Sequence, residues 1–283
     1  MKDINKNDLK NNLKRVAFAP RRFRVAQKSW RLNPNDFMVI SGPCRVESKK
    51  QITAVAQTMR KNHLKLIRAG AYKPTTFPYS PPGLGKRGLK IIQEIAHQYD
   101  LISVSEVMTI GQIPLAKQYI DVFQVGARNM QNYDLLAAIG KTHKPVLLKR
   151  HPGASLRDFL GAAEWLLSYG CQDLVLCERG VTAPYTHDPN ARWLLDITIV
   201  PAIKRISQLP IILDVSHSCG VKEFIPSLTA AATASGADGM MIEIHPEPKQ
   251  SKSDQNQTVS LEQFCALLKK VKKIAQALDK KVV

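Results

Sequence analysis

No run of eighteen apolar residues occurs in this 283-residue chain, so nothing in it reads as a membrane-spanning helix. No signal-type segment opens it, because the first residues are polar and charged; the expectation is a soluble, cytoplasmic protein without membrane contact. The five cysteines, Cys44, Cys171, Cys177, Cys219 and Cys265, are odd in number and lack zinc-finger spacing, which points to mostly free thiols in a reducing compartment. Low-complexity tracts and tandem repeats are absent too. Acidic residues are in short supply, 23 Asp and Glu against 41 Lys and Arg.

That imbalance is local. Of the net +18, residues 1–35 carry +8 and residues 269–283 carry +5, which leaves +5 for everything between. A basic arm and tail would suit nucleic acid, but the arm has few aromatics and no reading motif, so solvated charge is the better account and a nucleic-acid partner is not expected. Residues 1–35 are too short for an ordinary independent domain. They read as a basic N-terminal extension, with a helix from Asn7 to Val16 and an extended stretch through Pro20, Arg21 and Arg22, that covers the floor of the main fold or serves an oligomer contact.

The main fold, residues 36–283, shows eight short apolar runs: Phe37–Ile40, Lys65–Ile67, Leu101–Val104, Asp121–Val125, Pro145–Leu148, Asp173–Leu176, Pro210–Leu213 and Gly239–Ile242. Between them lie segments of helical periodicity such as Ser48–Asn62, Lys86–Tyr99, Ser155–Ser168 and Lys222–Ser235, and Leu261–Leu278 follows a polar loop over Glu247–Thr258. Buried parallel strands alternating with helices imply an α/β fold, a closed (β/α)8 TIM barrel of roughly 250 residues, whose chemistry collects at the C-terminal ends of its strands.

Loaded residues sit just past the apolar runs. Arg68 with Lys73, then Arg128, Lys149 and Arg179, come from four different strand ends. Taken singly, each reads as a solvated or paired surface residue. Converging on one rim they would repel one another unless anionic groups lay between them, and guanidinium groups grip phosphate and carboxylate bidentately. Glu106 and Glu178 read as carboxylates paired to these cations. Cys44, His217, Glu243 and Asp254 would together offer a thiolate, an imidazole and two carboxylates, a set that accepts Mn, Fe, Co or Zn; they read equally as a small buried cysteine, a satisfied histidine and a capping aspartate.

The motifs Gly42-Pro43-Cys44, Ala69-Gly70-Ala71-Tyr72-Lys73-Pro74, Pro78-Tyr79-Ser80, Gln124-Val125-Gly126-Ala127-Arg128-Asn129, Pro145-Val146-Leu147-Leu148-Lys149-Arg150, Cys177-Glu178-Arg179-Gly180 and Glu243-Ile244-His245-Pro246-Glu247-Pro248 resemble, in order from about Phe37 to Leu278, those of the 3-deoxy-D-arabino-heptulosonate 7-phosphate (DAHP) synthases. The likeness is to their short microbial type, related to the 3-deoxy-octulosonate 8-phosphate synthases. The resemblance implies a metal-dependent, aldol-type condensation of phosphoenolpyruvate with erythrose 4-phosphate, releasing phosphate at the entry to the shikimate pathway. It implies one divalent ion on Cys44, His217, Glu243 and Asp254; Arg128, Lys149 and Arg179 around phosphoenolpyruvate, with Arg68 near its carboxylate; Glu106 holding a water; and Lys73 at the reacting centre. Burial among other cations is expected to lower the Lys73 pKa towards neutrality and suit it to act as a general acid. It further implies a homo-oligomer. The arm is too short to form the extra domain with which relatives sense aromatic end products, so no such inhibition through it is expected.

Departures fall on the acceptor side. Where the family has Lys-Pro-Arg-Thr this chain has Lys73-Pro74-Thr75-Thr76; Arg45 follows Cys44 in place of a small residue; His151-Pro152 stands where a glycine is expected; Asp214-Val215-Ser216-His217 replaces Asp-Pro-Ser-His; and Val181–Ala191 is longer and lacks Arg-Thr-Phe. With Thr75 and Thr76 in the acceptor loop, Arg45 is the expected substitute grip on the acceptor's phosphate, or else a clamp on Glu47 or a neighbouring carboxylate. Two other functions fit the same residues: a paralogue condensing phosphoenolpyruvate with a different aldehyde, and a non-catalytic barrel with a binding role, against which retention of all four metal candidates argues.

Overall fold

The structure, a computed structural model, describes residues 11–73, 79 and 82–283. Eight parallel strands form the barrel: β1 (Asp36–Gly42), β2 (Leu66–Arg68), β3 (Ile102–Glu106), β4 (Val122–Val125), β5 (Val146–Lys149), β6 (Leu174–Glu178), β7 (Ile211–Asp214) and β8 (Gly239–His245). Each pairs with the next, and β8 returns to β1 in register from Gly239 opposite Met38 to Glu243 opposite Gly42, which closes the sheet. Closure removes every free edge and faces all strand C-termini to one side. The apolar runs thus lie on strands, each displaced from its observed bounds by a few residues at most.

The helices follow from amphipathic spacing and from caps. Helix α1 (Lys49–Lys61) starts where the Ser48 side chain accepts from the Gln51 N–H and buries Ile52, Val55, Ala56 and Met59. Helix α2 is Gly85–Gln98, α3 Ile113–Tyr119, α4 Tyr133–Gly140 and α5 Leu156–Ser168, the last opened by a capping box of Ser155 and Asp158. Short helices α6 (Ile199–Lys204) and α7 (Val215–Cys219) precede α8 (Ile225–Ala234), and α9 (Leu261–Gln276) closes the ring behind a second capping box. Among the described residues, no helix is long and apolar enough to cross a membrane.

The core has two parts. The larger lies between strands and helices. The smaller fills the barrel interior with Met38, Ile40, Leu66, Val104, Leu147 and Met241, and the N-terminal arm joins it: Phe23, Val25 and Leu32 are buried there. A two-residue antiparallel hairpin, Arg24–Val25 on Trp30–Arg31, carries those side chains. The described part of the arm thus covers the floor. The expected helix from Asn7 to Val16 does not reach Val16. Its first residues lie outside the described residues, and after Asn11 the chain turns and is held by Glu164, whose carboxylate accepts from the N–H groups of Arg15 and Val16 at 2.8–3.0 Å. That external carboxylate satisfies donors that a continued helix would have had to supply with carbonyls.

Candidate active site at the barrel mouth

The strand ends surround a cavity of about 800 Å³, lined by Arg68, Lys73, Glu106, Arg128, Lys149 and Arg179 among others. All five cations expected at the rim therefore face one space. Thr75 and Thr76 lie outside the described residues. Lys149 Nζ donates to Asp214 Oδ2 at 2.5 Å, and both groups are almost completely buried. Against full burial, His217 and Lys149 hold the Asp214 carboxyl well below its usual range. Arg179 lies over the Trp193 ring, 5.7 Å from its centroid. Arg68 is 5% exposed, and its buried Nη1 has no hydrogen-bond partner among the described residues. A buried guanidinium with a donor to spare suits an anion.

The carboxylates expected to pair with these cations behave differently from one another. Glu178 is fully buried but pairs with Arg150 at 3.1 Å, accepts from the Gly180 N–H at 2.6 Å, and does not line the cavity. Arg150 also grips Asp196 at 2.9 Å, so this network braces the C-terminal ends of β5 and β6. Glu106 faces the cavity and accepts from Gln124 Nε2 at 3.2 Å. Burial raises its pKa, opposed by the fields of Lys149, Lys73 and Arg68. Gly126 is required beside it, because a Cβ there would collide with the Glu106 carboxylate.

Cys44, His217, Glu243 and Asp254 form a cluster whose ligand atoms all lie within 4.8 Å of one another. They arrive from the end of β1, from α7, from β8 and from the loop beyond it. Cys44 Sγ lies 3.1 Å from Asp254 Oδ2, and His217 Nε2 lies 3.3 Å from Glu243 Oε2. Asp214 holds His217 Nδ1 at 2.9 Å, leaving Nε2 to face the cluster, the arrangement by which a carboxylate orients a ligating imidazole. Burial keeps that imidazole neutral, its pKa lowered to about 3. Gln257 Nε2 and the Thr258 hydroxyl donate to the two Glu243 oxygens at 2.9 and 3.3 Å. Burial and the Glu243 charge push the Cys44 thiol up to about 12 even against the nearby Lys73 ammonium, so a thiolate there needs a bound metal cation as well. A neutral imidazole, two oriented carboxylates and a thiol awaiting a cation fit a divalent metal ion.

Lys73 departs from expectation in its electrostatics. Its ammonium touches Cys44 Sγ and lies 2.8 Å from Asp254 Oδ2. Burial disfavours the charged form, but Cys44 and Asp254 outweigh it and raise the pKa. The expected lowering assumed that other cations would be its nearest neighbours, and two acidic groups are nearer. Arg45, 7% exposed, does not clamp Glu47; its Nη2 donates to the Lys252 carbonyl at 2.6 Å, and Glu47 separately accepts from the Lys252 N–H at 2.8 Å. Both hold the loop that carries Asp254. Arg192 and Trp193, which also line the cavity, belong to no motif in the sequence; the segment judged unusual there ends at Ala191, just short of them.

Comparison with known proteins follows the same outline. The family model described as the DAHP synthetase I family matches residues 27–280. A phospho-2-dehydro-3-deoxyheptonate aldolase of Thermotoga maritima is 41% identical over 87% of this chain and 72% of its own. A 2-dehydro-3-deoxyphosphooctonate aldolase of Desulfotalea psychrophila is 30% identical over 86% and 91%. Among solved structures, a truncated form of the 3-deoxy-D-arabino-heptulosonate 7-phosphate synthase of Thermotoga maritima superposes with a TM-score of 0.82 at 37% identity, covering 90% of this chain and 92% of that one.

Proposed function

This chain belongs to the DAHP synthetase I family, whose members are aldolase-type transferases, and on that premise we propose that it condenses phosphoenolpyruvate with erythrose 4-phosphate, in a metal-dependent reaction that yields DAHP and inorganic phosphate in the cytoplasm, as a homo-oligomer. The observation that carries this reading is a cavity in which five cations from four strand ends face a cluster of four metal-donor side chains. The cations suit a small polyanion, and the donors suit the aldehyde end of an acceptor.

Arg128, Lys149 and Arg179 hold the phosphate of phosphoenolpyruvate, and Arg68, through its spare buried donor, takes the carboxylate. A divalent ion, held by Cys44, His217, Glu243 and Asp254, would supply Lewis acidity toward the aldehyde oxygen. The enol C3 then forms the new bond to the aldehyde carbon. Lys73, protonated and adjacent to the cluster, gives its proton to the oxygen that becomes a hydroxyl. Water adds at C2, oriented by Glu106 on the opposite wall, and the C2–O bond to phosphate breaks. Positioning of two anions at one site accounts for much of the rate.

Phosphate release from phosphoenolpyruvate, measured with a panel of aldehydes with and without divalent metal, tests the reading. Release that requires both metal and erythrose 4-phosphate is the expected result. Release with another aldehyde alone favours a paralogue of altered acceptor, a reading supported by Arg45 being engaged by the Lys252 carbonyl. No release with any aldehyde would leave a binding barrel.

A further inference from the structure

The cavity continues past the four donors. Beyond Asp254 it opens into a second space of about 350 Å³, and Arg192, Lys252, Ser253 and Asp254 line both. Arg192 stands at this seam. Its Nη1 donates to Asp254 Oδ1 at 3.2 Å, while 47% of its side chain remains exposed. The placement is built: the Arg192 N–H donates to the Cys219 carbonyl at 3.0 Å, and Val181 bridges Leu194 to pin both ends of the loop. Gly220, with φ of 74°, gives way to it, since a Cβ there would press to 3.2 Å from Arg192 Cγ.

Other cations of this wall are engaged elsewhere. Lys149 pairs with Asp214 and is assigned above to phosphoenolpyruvate, Lys73 pairs with Asp254 beside Cys44 at the reacting centre, and Arg45 donates to the Lys252 carbonyl at only 7% exposure. Two further features mark the seam as an anion site. Lys252 is exposed beside Arg192, and Ser253 Oγ is buried with no hydrogen-bond partner among the described residues. A guanidinium, an ammonium and a spare hydroxyl are what a phosphate group recruits. The span also fits. With bonds of about 1.5 Å, the phosphate of a four-carbon aldose ends roughly 5–6 Å from its aldehyde carbon, and Arg192 lies one hydrogen bond outside the donor cluster.

We propose that Arg192, assisted by Lys252 and the Ser253 hydroxyl, is the specificity-determining grip on the terminal phosphate of the acceptor. This deepens the function proposed above and rests on it for the identity of the acceptor. Arg45 then keeps the loop in place without touching substrate.

The test compares wild type with Arg192→Ala and Arg192→Lys, using erythrose 4-phosphate and unphosphorylated erythrose as acceptors. Arg192→Ala is expected to raise the KM of the phosphorylated acceptor by about tenfold or more, the loss typical of a charge-assisted bond, with the KM of phosphoenolpyruvate changed less than twofold and no added penalty on erythrose. Arg192→Lys should recover part of the loss. An acceptor KM unchanged in Arg192→Ala overturns the proposal. So does an equal loss on both acceptors, or a fall in bound metal, since Arg192 would then serve only to hold Asp254. Calorimetric titration of erythrose 4-phosphate into each protein separates the two readings: if wild type fails to turn over yet binds the sugar phosphate and Arg192→Ala does not, the site stands and the reaction falls.

Discussion

The two ends of the barrel are made from the same eight strands and are chemically opposite. At the floor, Phe23, Val25 and Leu32 of the arm seal an interior of Met38, Ile40, Leu66 and Met241, all apolar and nearly inaccessible. At the mouth, about two residues farther along the same strands, Arg68, Lys149 and Glu243 are as buried but charged, and Glu106 is half-buried. Burial stabilises the first set through area removed from water. It penalises the second set, which persists because Asp214 faces Lys149, Gln257 and Thr258 face Glu243, and Gln124 faces Glu106. A stable floor lets the mouth keep groups that cost stability and serve chemistry.

Breaking the mouth at its metal candidates should give the largest effect. Cys44→Ala is expected to lower metal content and phosphate release together, by about a hundredfold or more, because the soft ligand is lost; metal analysis and single-turnover assays read it, and full occupancy with normal turnover would remove Cys44 from the site. Asp214→Asn comes next. It removes both the carboxylate that orients His217 and the partner of Lys149, so metal affinity should fall about 10–100-fold and stability by about 3–5 kcal/mol, the cost of stranding a buried charge. Denaturant melts beside metal titrations check the two losses separately.

The floor is expected to answer on stability alone. Phe23→Ala should cost about 3–5 kcal/mol in a denaturant melt while leaving the KM of both substrates unchanged. Deleting residues 1–30 should do worse in stability, since it also removes Val25 and the 2.8 Å Arg21–Asp238 ion pair, and should leave acceptor preference and response to aromatic amino acids unaltered. A shift in acceptor preference on deletion would mean that floor and mouth are coupled, and the contrast would fail.

How far the sequence disclosed each end also differs. Strands such as β5 and β7 are legible because three consecutive apolar residues behind Pro145 or Pro210, each closed by a charged residue, admit few alternatives. The rim cations were legible as a set because they recur just after such runs. The hairpin was not, since two-residue strands have no periodicity and Phe23 and Val25 are isolated apolar residues among Arg21, Arg22 and Arg24. Lys73 was misjudged electrostatically because its nearest neighbours, Cys44 and Asp254, lie 29 and 181 residues away in sequence. Arg192 went unnoticed for the same reason: its partner Asp254 is 62 residues on, and only folding brings them together.

The smallest expected effect is the most discriminating within the mouth. Arg45 adjoins Cys44 and lines the cavity, so proximity alone would make it a substrate ligand. Its geometry argues otherwise, for Nη2 is drawn to the Lys252 carbonyl at 2.6 Å and the side chain is nearly inaccessible. A hydrogen bond from a charged donor contributes about 1.5–3 kcal/mol, directed here to fixing the loop of Lys252, Ser253 and Asp254. Arg45→Ala should therefore lower thermal stability and metal affinity modestly while raising acceptor KM less than about threefold, well below the tenfold of a lost charge-assisted contact. Adding an arginine by Thr75→Arg should then fail to compensate Arg45→Ala, because the defect lies in the loop and not in phosphate binding. Should Arg45→Ala instead raise acceptor KM tenfold at unchanged stability, with Thr75→Arg restoring it, the grip on the acceptor would belong to Arg45 and the role assigned to Arg192 would have to be withdrawn.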